Sequence, residues 1–107
     1  MKKFHYSDMK GGWFVGDFLP SAFQTKDFEV AYVKHQKNQT WEKHFHKIAT
    51  EITMVIKGKI QINNQIFSSG DIFVISPNEI ADPKFLEDSE VIVIKTPSDV
   101  NDKYTVS

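Results

Sequence analysis

His44 and His46 are the residues of this sequence whose types and spacing are best suited to chemistry. Alternate residues of an extended strand point to the same face, so the two imidazoles would lie side by side, with Cα atoms roughly 6.5–7 Å apart. Glu51 follows after a short segment in which a turn can fold its carboxylate back across the pair. Two imidazoles and one carboxylate suit nickel, zinc, manganese and iron(II). The pattern therefore predicts a divalent transition metal at His44, His46 and Glu51, with positions left open for water or substrate.

The same three side chains have an interpretation without a metal. Two imidazoles that line a barrel can hydrogen-bond to water or to Glu51, and Glu51 can instead be an exposed residue at the start of a strand. The metal is favoured, because a carboxylate buried without a partner costs several kcal/mol and a cation offsets that cost. The other two histidines, His5 and His35, stand apart from the pair and are expected at the surface.

The composition favours a single globular domain over residues 1–107. With 107 residues, 40 % of them hydrophobic, the chain has enough apolar side chains for one core. The 13 basic residues, all lysines, balance 14 acidic ones, which argues against nucleic acid as a partner. The absence of cysteine excludes disulfides, thiolate ligands and thiol nucleophiles. No apolar run has the eighteen or so residues of a membrane span or resembles a signal-peptide core, so we expect a cytoplasmic protein without a membrane partner.

Short apolar runs separated by glycine, proline and asparagine predict an all-β domain. The predicted strands cover residues 28–33, 51–57, 59–67, 72–75 and 91–95. Asn63 and Asn64 divide the third run and predict a hairpin turn there, because asparagine tolerates positive φ. We expect a barrel core over about residues 28–95, an irregular N-terminal arm over residues 1–27, and a polar, loose C-terminal tail over residues 97–107.

Side-chain alternation indicates how these strands share a core. One face of the strand at 51–57 carries Ile52, Met54 and Ile56, and the other carries Glu51, Thr53 and Val55, so one of the two belongs to the core. The strands at 72–75 and 91–95 are apolar on both faces, which predicts a cover on each side, by the opposing sheet and by a partner subunit or the N-terminal segment. A homodimer formed through apolar sheet surface is the expected assembly.

The run that ends at Gly58 resembles the first sequence motif of the cupin superfamily, Gly-x5-His-x-His-x3–4-Glu-x6-Gly. The two histidines, Glu51 and Gly58 fall in register, and the first glycine of the motif falls at Asn38, a residue type that also tolerates positive φ. The resemblance implies a single-domain double-stranded β-barrel of the cupin or jelly-roll type, with a ligand pocket in its mouth. It also implies that His44, His46 and Glu51 correspond to three of the four usual metal ligands of the family.

The second cupin motif, Gly-x5-Pro-x-Gly-x2-His-x3-Asn, is only partly kept. Aligned without gaps, it places Gly70 on the first glycine, Asn78 on the second, and Ala81 on the histidine that is the fourth metal ligand of the family. Glu79 and Asp82 are the candidates to replace that ligand. Asp82 would do so only if a bulge before the following proline turned its side chain towards the cluster.

The resemblance leaves the reaction open, because one fold carries many activities. The leading hypothesis is a metal-dependent reaction of the isomerase or epimerase type on a small polar molecule, such as a sugar or sugar derivative, in which a histidine or Glu51 moves a proton. Lys47 resembles the lysine of cupins that isomerise nucleotide-linked keto-sugars, although a solvated lysine at a turn is the simpler interpretation. The alternatives are a non-catalytic small-molecule-binding or sensor protein and an iron(II)-dependent dioxygenase.

Overall fold

The computed structural model describes residues 1–106, and almost all of their regular structure is β-strand, as the sequence predicts. A short 3-10 helix at Tyr6–Asp8 precedes the strands. The strands of the described residues, numbered in chain order, are β1 Trp13–Gly16, β2 Phe23–Gln24, β3 Glu29–His35, β4 His44–Phe45, β5 Thr50–Lys57, β6 Lys59–Ile62, β7 Gln65–Ser68, β8 Ile72–Ile75, β9 Pro83–Phe85, β10 Ser89–Thr96 and β11 Tyr104–Thr105. Within residues 1–106 no helix is long and apolar enough to cross a membrane.

Two sheets face each other across the core. The larger has the strand order β2-β1-β3-β10-β5-β8, the smaller has the order β7-β6-β9, and a separate pair joins β11 to β4. Val55 and Val91 of the larger sheet pack with Ile60 and Phe85 of the smaller one, and all four are buried. This arrangement is the double-stranded β-barrel that the sequence predicts.

Each of the predicted strands has a counterpart in the structure. β8 has the predicted bounds, β5 begins one residue earlier than predicted, and β3 and β10 differ by one or two residues at each end. The third run folds as the β6–β7 hairpin, in which Ile62 pairs with Gln65 and Asn63 has a φ of 55°. The expected turn at Asn63 is therefore confirmed.

The more apolar face of β5 lies outside the barrel. Thr53 and Val55 are buried, whereas Met54 and Ile56 are exposed. The reason is Glu51, which points into the barrel, so that strict alternation carries Thr53 and Val55 inwards and the large aliphatic side chains outwards. A count of apolar residues alone assigns the core to the wrong face of this strand.

The two chain ends are more regular than the sequence predicts. The N-terminal arm is irregular only in part, because β1 pairs with β3 in the larger sheet. The expectation of a loose C-terminal tail is wrong: β11 pairs with β4, and Ser98 and Asp102 are buried. The polar side chains of this tail bond to backbone groups of the barrel, as where the hydroxyl of Ser98 accepts from the backbone N–H of Asp17 at 2.8 Å.

Candidate metal centre

The structure brings His44, His46 and Glu51 together inside the barrel. Their candidate ligand atoms all lie within 4.8 Å of one another. His44 is the first residue of β4, His46 follows that strand, and Glu51 is the second residue of β5, so the intervening turn folds the carboxylate back towards the histidines. Both imidazoles are buried, and their ring centroids are 5.4 Å apart. This cluster could hold a metal ion.

Hydrogen bonds to the backbone determine which nitrogen of each histidine is available. Nδ1 of His44 lies 2.7 Å from the carbonyl oxygen of Glu42, and Nδ1 of His46 bonds to the carbonyl oxygen of Asp102. A carbonyl oxygen only accepts, so Nδ1 is the protonated nitrogen in both rings. In a neutral ring Nε2 is then the free acceptor, which is the form that binds a metal. Burial lowers the pKa of His44 and favours this neutral form.

Nε2 of His46 faces the carboxylate of Glu51. The distance from Nε2 to Oε1 of Glu51 is 3.7 Å, and Nε2 is buried without a hydrogen-bond partner among the described residues. Two acceptor atoms that face each other in a buried site repel unless a proton or a metal ion lies between them. A metal ion with bonds of about 2.1 Å to nitrogen and oxygen can bridge a gap of this size. The donor set therefore fits a divalent transition metal.

The carboxylate of Glu51 is held in its charged form. Its Oε2 accepts a hydrogen bond from the hydroxyl of Thr53 at 3.1 Å. Burial raises the pKa of Glu51, but the neighbouring His46 and Lys95 and the hydroxyl of Thr53 outweigh burial, and the net pKa lies below its ordinary value. The ionised carboxylate, which is the form that binds a metal, is thus favoured at neutral pH.

Asp102, in the C-terminal tail, stabilises the turn between the histidines and Glu51 through hydrogen bonds. Its carboxylate accepts N–H bonds from three consecutive residues, Lys47, Ile48 and Ala49, at 2.8 to 3.0 Å. Burial raises the pKa of Asp102, but these bonds, that from Ala49 first, bring it below its ordinary value. Because the carbonyl of the same residue accepts from Nδ1 of His46, one residue orients both the ring and the turn. Sequence reasoning missed Asp102, since an aspartate in a polar tail carries no signal of burial.

Ala81 occupies the position beside His44. The two residues exchange backbone hydrogen bonds of 3.0 and 2.8 Å, so their side chains project from the same face. Asp82 is not among the residues that line the cavity above the cluster. Glu79 is exposed, and its carboxylate accepts from the backbone N–H of Ser76 at 3.0 Å. The structure brings neither of these two carboxylates to the cluster.

Two further candidates of the sequence lie outside the cavity. Lys47 is exposed, and its Nζ lies 4.2 Å from the centroid of the Tyr104 ring. His5 is exposed, as expected, and its ring accepts from the N–H of Ser7 near the N-terminal 3-10 helix. Lys47 is therefore not among the residues that line the cavity.

His35 is buried, so the expectation that it lies at the surface is wrong. Its ring stacks on Phe85 with 4.0 Å between centroids, and burial lowers its pKa. The sequence did carry a signal, because alternation along β3 places His35 on the same face as Ala31 and Val33. The same alternation places Glu29 on that face, and Glu29 is also buried.

A cavity of about 470 Å³ adjoins the cluster. Its walls are mostly apolar, and Ile60, Phe85 and Val91 of the core form part of them. The charged residues that line it outside the cluster are Lys10, Glu29, Lys95, Asp99, Asp102 and Lys103. An apolar cavity with a few convergent polar groups is typical of a small-molecule site.

The backbone adopts the conformations that the glycines of the cupin motifs require. Asn38 and Asn78, which stand at two of those glycine positions, have φ values of 63° and 70°. Gly58 has a φ of 98°, and a Cβ atom there would lie 2.4 Å from the backbone oxygen of Asp88. Asparagine thus supplies the positive φ at two of the motif positions, and at Gly58 the lack of space for a Cβ atom also requires glycine.

Solved structures with the same fold include proteins that carry a cupin-2 or double-stranded β-helix domain. KdgF from Halomonas sp. is 26 % identical, with a TM-score of 0.65 over 70 % of this chain and 74 % of that one. A cupin-superfamily sugar phosphate isomerase from Silicibacter pomeroyi is 16 % identical, with a TM-score of 0.63 over 76 % of this chain and 57 % of that one. Streptomyces PAC13, solved as a variant with uridine, is 14 % identical, with a TM-score of 0.73 over 100 % of this chain and 92 % of that one. No protein-family model and no curated protein matches the sequence.

Proposed function

We propose that this chain, a small protein of the cupin superfamily, binds a divalent transition metal through His44, His46 and Glu51 and acts on a small polar molecule. The reaction we favour is of the isomerase or epimerase type on a sugar or sugar derivative. The observation that carries the proposal is the orientation of the ligand atoms. Both Nδ1 atoms are committed to backbone carbonyls, which leaves both Nε2 atoms available beside a carboxylate held in its charged form.

When bound, the metal would supply Lewis-acid polarisation of a substrate carbonyl. Isomerisation next to a carbonyl also requires a base that removes a proton from the neighbouring carbon and returns it elsewhere. Glu51 is ionised at neutral pH and lies within the cluster, so it is the candidate base. The walls of the cavity beside the cluster are mostly apolar.

Two of the structural neighbours favour a sugar derivative as the ligand. One is described as a sugar phosphate isomerase, and the other was solved with uridine, a nucleoside. The cavity of about 470 Å³ has room for a molecule of this size. A cytoplasmic location and the absence of nucleic-acid and membrane partners stay predictions.

A non-catalytic binding or sensor function is the second candidate. The gap-free alignment of the second cupin motif assigns the position of the fourth ligand to Ala81, which lies beside His44, so we expect the metal to have three protein ligands instead of four. A metal held by fewer protein groups can serve to bind a ligand without turning it over. The two-histidine, one-carboxylate set is also compatible with iron(II) and oxygen chemistry.

Three measurements on the metal-loaded protein distinguish the three functions. Thermal-shift screening against sugars, sugar phosphates, nucleosides and organic acids is followed by nuclear magnetic resonance detection of product for every ligand that stabilises the protein. Turnover of a sugar derivative supports the proposal, and stabilisation without turnover supports the binding protein. Oxygen consumption that requires added iron(II) would move the assignment to a dioxygenase.

A further inference from the structure

A second polar group lies in the cavity, on the inner face of the larger sheet. The strand register places Lys95 of β10 directly between Glu29 of β3 and Glu51 of β5. Residues that face each other across antiparallel strands project from the same face, and all three line the cavity. A carboxylate, an ammonium and a second carboxylate therefore form one row, with Glu51 at the metal end and Glu29 at the far end.

Glu29 is the member of this row that the metal proposal does not use. Its side chain is only 4 % exposed, and its Oε1 has no hydrogen-bond partner among the described residues. Nζ of Lys95 lies 4.9 Å from the centroid of the Trp13 ring, and no ion pair within 4.0 Å joins it to Glu29 among the described residues. A buried acceptor left without a donor costs free energy, so an unpartnered acceptor on a residue that lines a cavity favours a donor supplied by a ligand.

We propose that Glu29 is a substrate-binding residue, which accepts a hydrogen bond from a hydroxyl group of a neutral sugar derivative at the end of this row opposite to Glu51. This inference rests on the proposed function for the identity of the ligand and extends it by assigning a second point of attachment.

The charges around Glu29 determine the class of that donor. Glu51 and Asp99 line the same cavity, so an anionic group beside Glu29 would meet several carboxylates. A cationic donor would meet Lys95, the nearest residue in the row. A hydroxyl satisfies Oε1 without either repulsion. Burial raises the pKa of Glu29, consistent with a carboxyl group that water does not solvate.

The test compares wild type with Glu29→Gln and with a control, Glu87→Gln, whose side chain is exposed outside the cavity. Each nickel-loaded protein is titrated by calorimetry with three neutral probes: methyl α-D-galactopyranoside, methyl β-D-ribofuranoside and uridine. Nickel affinity and melting temperature are measured for all three proteins.

At least one probe should bind wild type. Glu29→Gln should lower the affinity for that probe about tenfold or more, because a charge-assisted hydrogen bond becomes a neutral one. The control should bind as wild type does. The melting temperature of Glu29→Gln should equal or exceed that of wild type, because the variant removes a buried charge with an unsatisfied oxygen.

Three results would overturn the assignment of Glu29: no probe binds wild type while nickel does, Glu29→Gln binds the probe as tightly as wild type, or its melting temperature falls by about 5 °C or more, which indicates a structural role. A protein that binds the probe through Glu29 but takes up no nickel would instead retain this inference and refute the metal proposal.

Discussion

A histidine binds a metal through a nitrogen that carries no proton, so the partner of its other nitrogen matters as much as its position in the chain. In this protein those partners are the backbone carbonyls of Glu42 and Asp102. The spacing of His44 and His46 predicted that the rings share a face, and the structure brings them together. Backbone partners are invisible in a sequence, because any residue type can supply a carbonyl.

The position of the metal can be tested by adding a fourth metal-binding side chain at Ala81. Its side chain projects beside that of His44, so Ala81→His places an imidazole at the edge of the cluster. Metal affinity should rise by roughly tenfold or more, the scale on which single features of a metal site act. Nickel titration of the chelator-treated protein measures the change.

Asp82→His is the matched control for that substitution. The next residue along a strand points to the opposite face, so the added imidazole should leave nickel affinity unchanged. An increase for Asp82→His and none for Ala81→His would mean that the motif alignment is shifted by one residue.

His35 predicts a dependence of stability on pH. Burial holds its pKa below the ordinary value in the folded state, so at mildly acidic pH the unfolded chain binds a proton that the folded protein excludes. The melting temperature of wild type should therefore fall as the pH is lowered through about 6.5. His35→Phe keeps an aromatic ring against Phe85 and should reduce this fall.

Thermal melts between pH 5.5 and pH 7.5 measure the difference. His5→Gln is the control at an exposed position and should keep the wild-type fall, because it leaves the buried ring in place. A fall that is as large in His35→Phe as in wild type would refute the role of His35.

At the scale of elements, the prediction of the barrel rested on the alternation of side chains along the strands and on the residues at the turns. The β6–β7 hairpin followed from Asn63, and the bounds of β8 followed from the apolar run. The strands β1, β2, β9 and β11 were missed, because each has at most four residues and is stabilised by pairing with other strands rather than by its own composition. The C-terminal tail was misjudged for a different reason: its buried contacts are polar side chains bonded to backbone groups, which composition does not reveal.

Asp102 tests whether this tail supports the metal centre. Asp102→Ala removes the acceptor of three backbone N–H groups, and the free energy of unfolding should fall by about 2–4 kcal/mol. The turn would then hold His46 and Glu51 less firmly, so metal affinity should fall by about 10–100-fold. Asp102→Asn retains an acceptor oxygen and should have smaller effects on both quantities.

Asp99→Ala, in the same tail, is the matched control. The Asp99 carboxylate accepts only the local N–H of Asn101 among the hydrogen bonds of the described residues, so its removal should leave metal affinity close to that of wild type. Equal losses of metal affinity in Asp102→Ala and Asp99→Ala would contradict a specific role for Asp102.

At the scale of the whole molecule, the outer face of the larger sheet is apolar and uncovered in the single chain. The register aligns Ile92, Met54 and Ile72 across β10, β5 and β8, and Ile94, Ile52 and Val74 in the neighbouring row. Ile72 and Val74 are 62 % and 57 % exposed. Contiguous exposed apolar surface of this kind is typical of protein interfaces, so the homodimer stays our prediction.

Light scattering tests the dimer. Wild type should have twice the mass of one chain, and Met54→Glu should be monomeric, because it places a charge at the centre of this face. Ile66→Glu, on an exposed position of the smaller sheet, is the control and should remain dimeric. A wild type with the mass of one chain would remove the dimer and leave the fold and the metal centre unaffected.

Metal content tests the central claim most directly, and the measurement is element analysis of protein purified without an affinity tag, followed by nickel titration after chelation. We predict about one equivalent of a divalent transition metal in wild type and its loss in His44→Ala and His46→Ala. Both variants should melt close to the temperature of chelator-stripped wild type, because all three lack the metal and we expect the barrel to fold without it. Less than about a tenth of an equivalent in wild type, with no uptake on titration, would contradict the account.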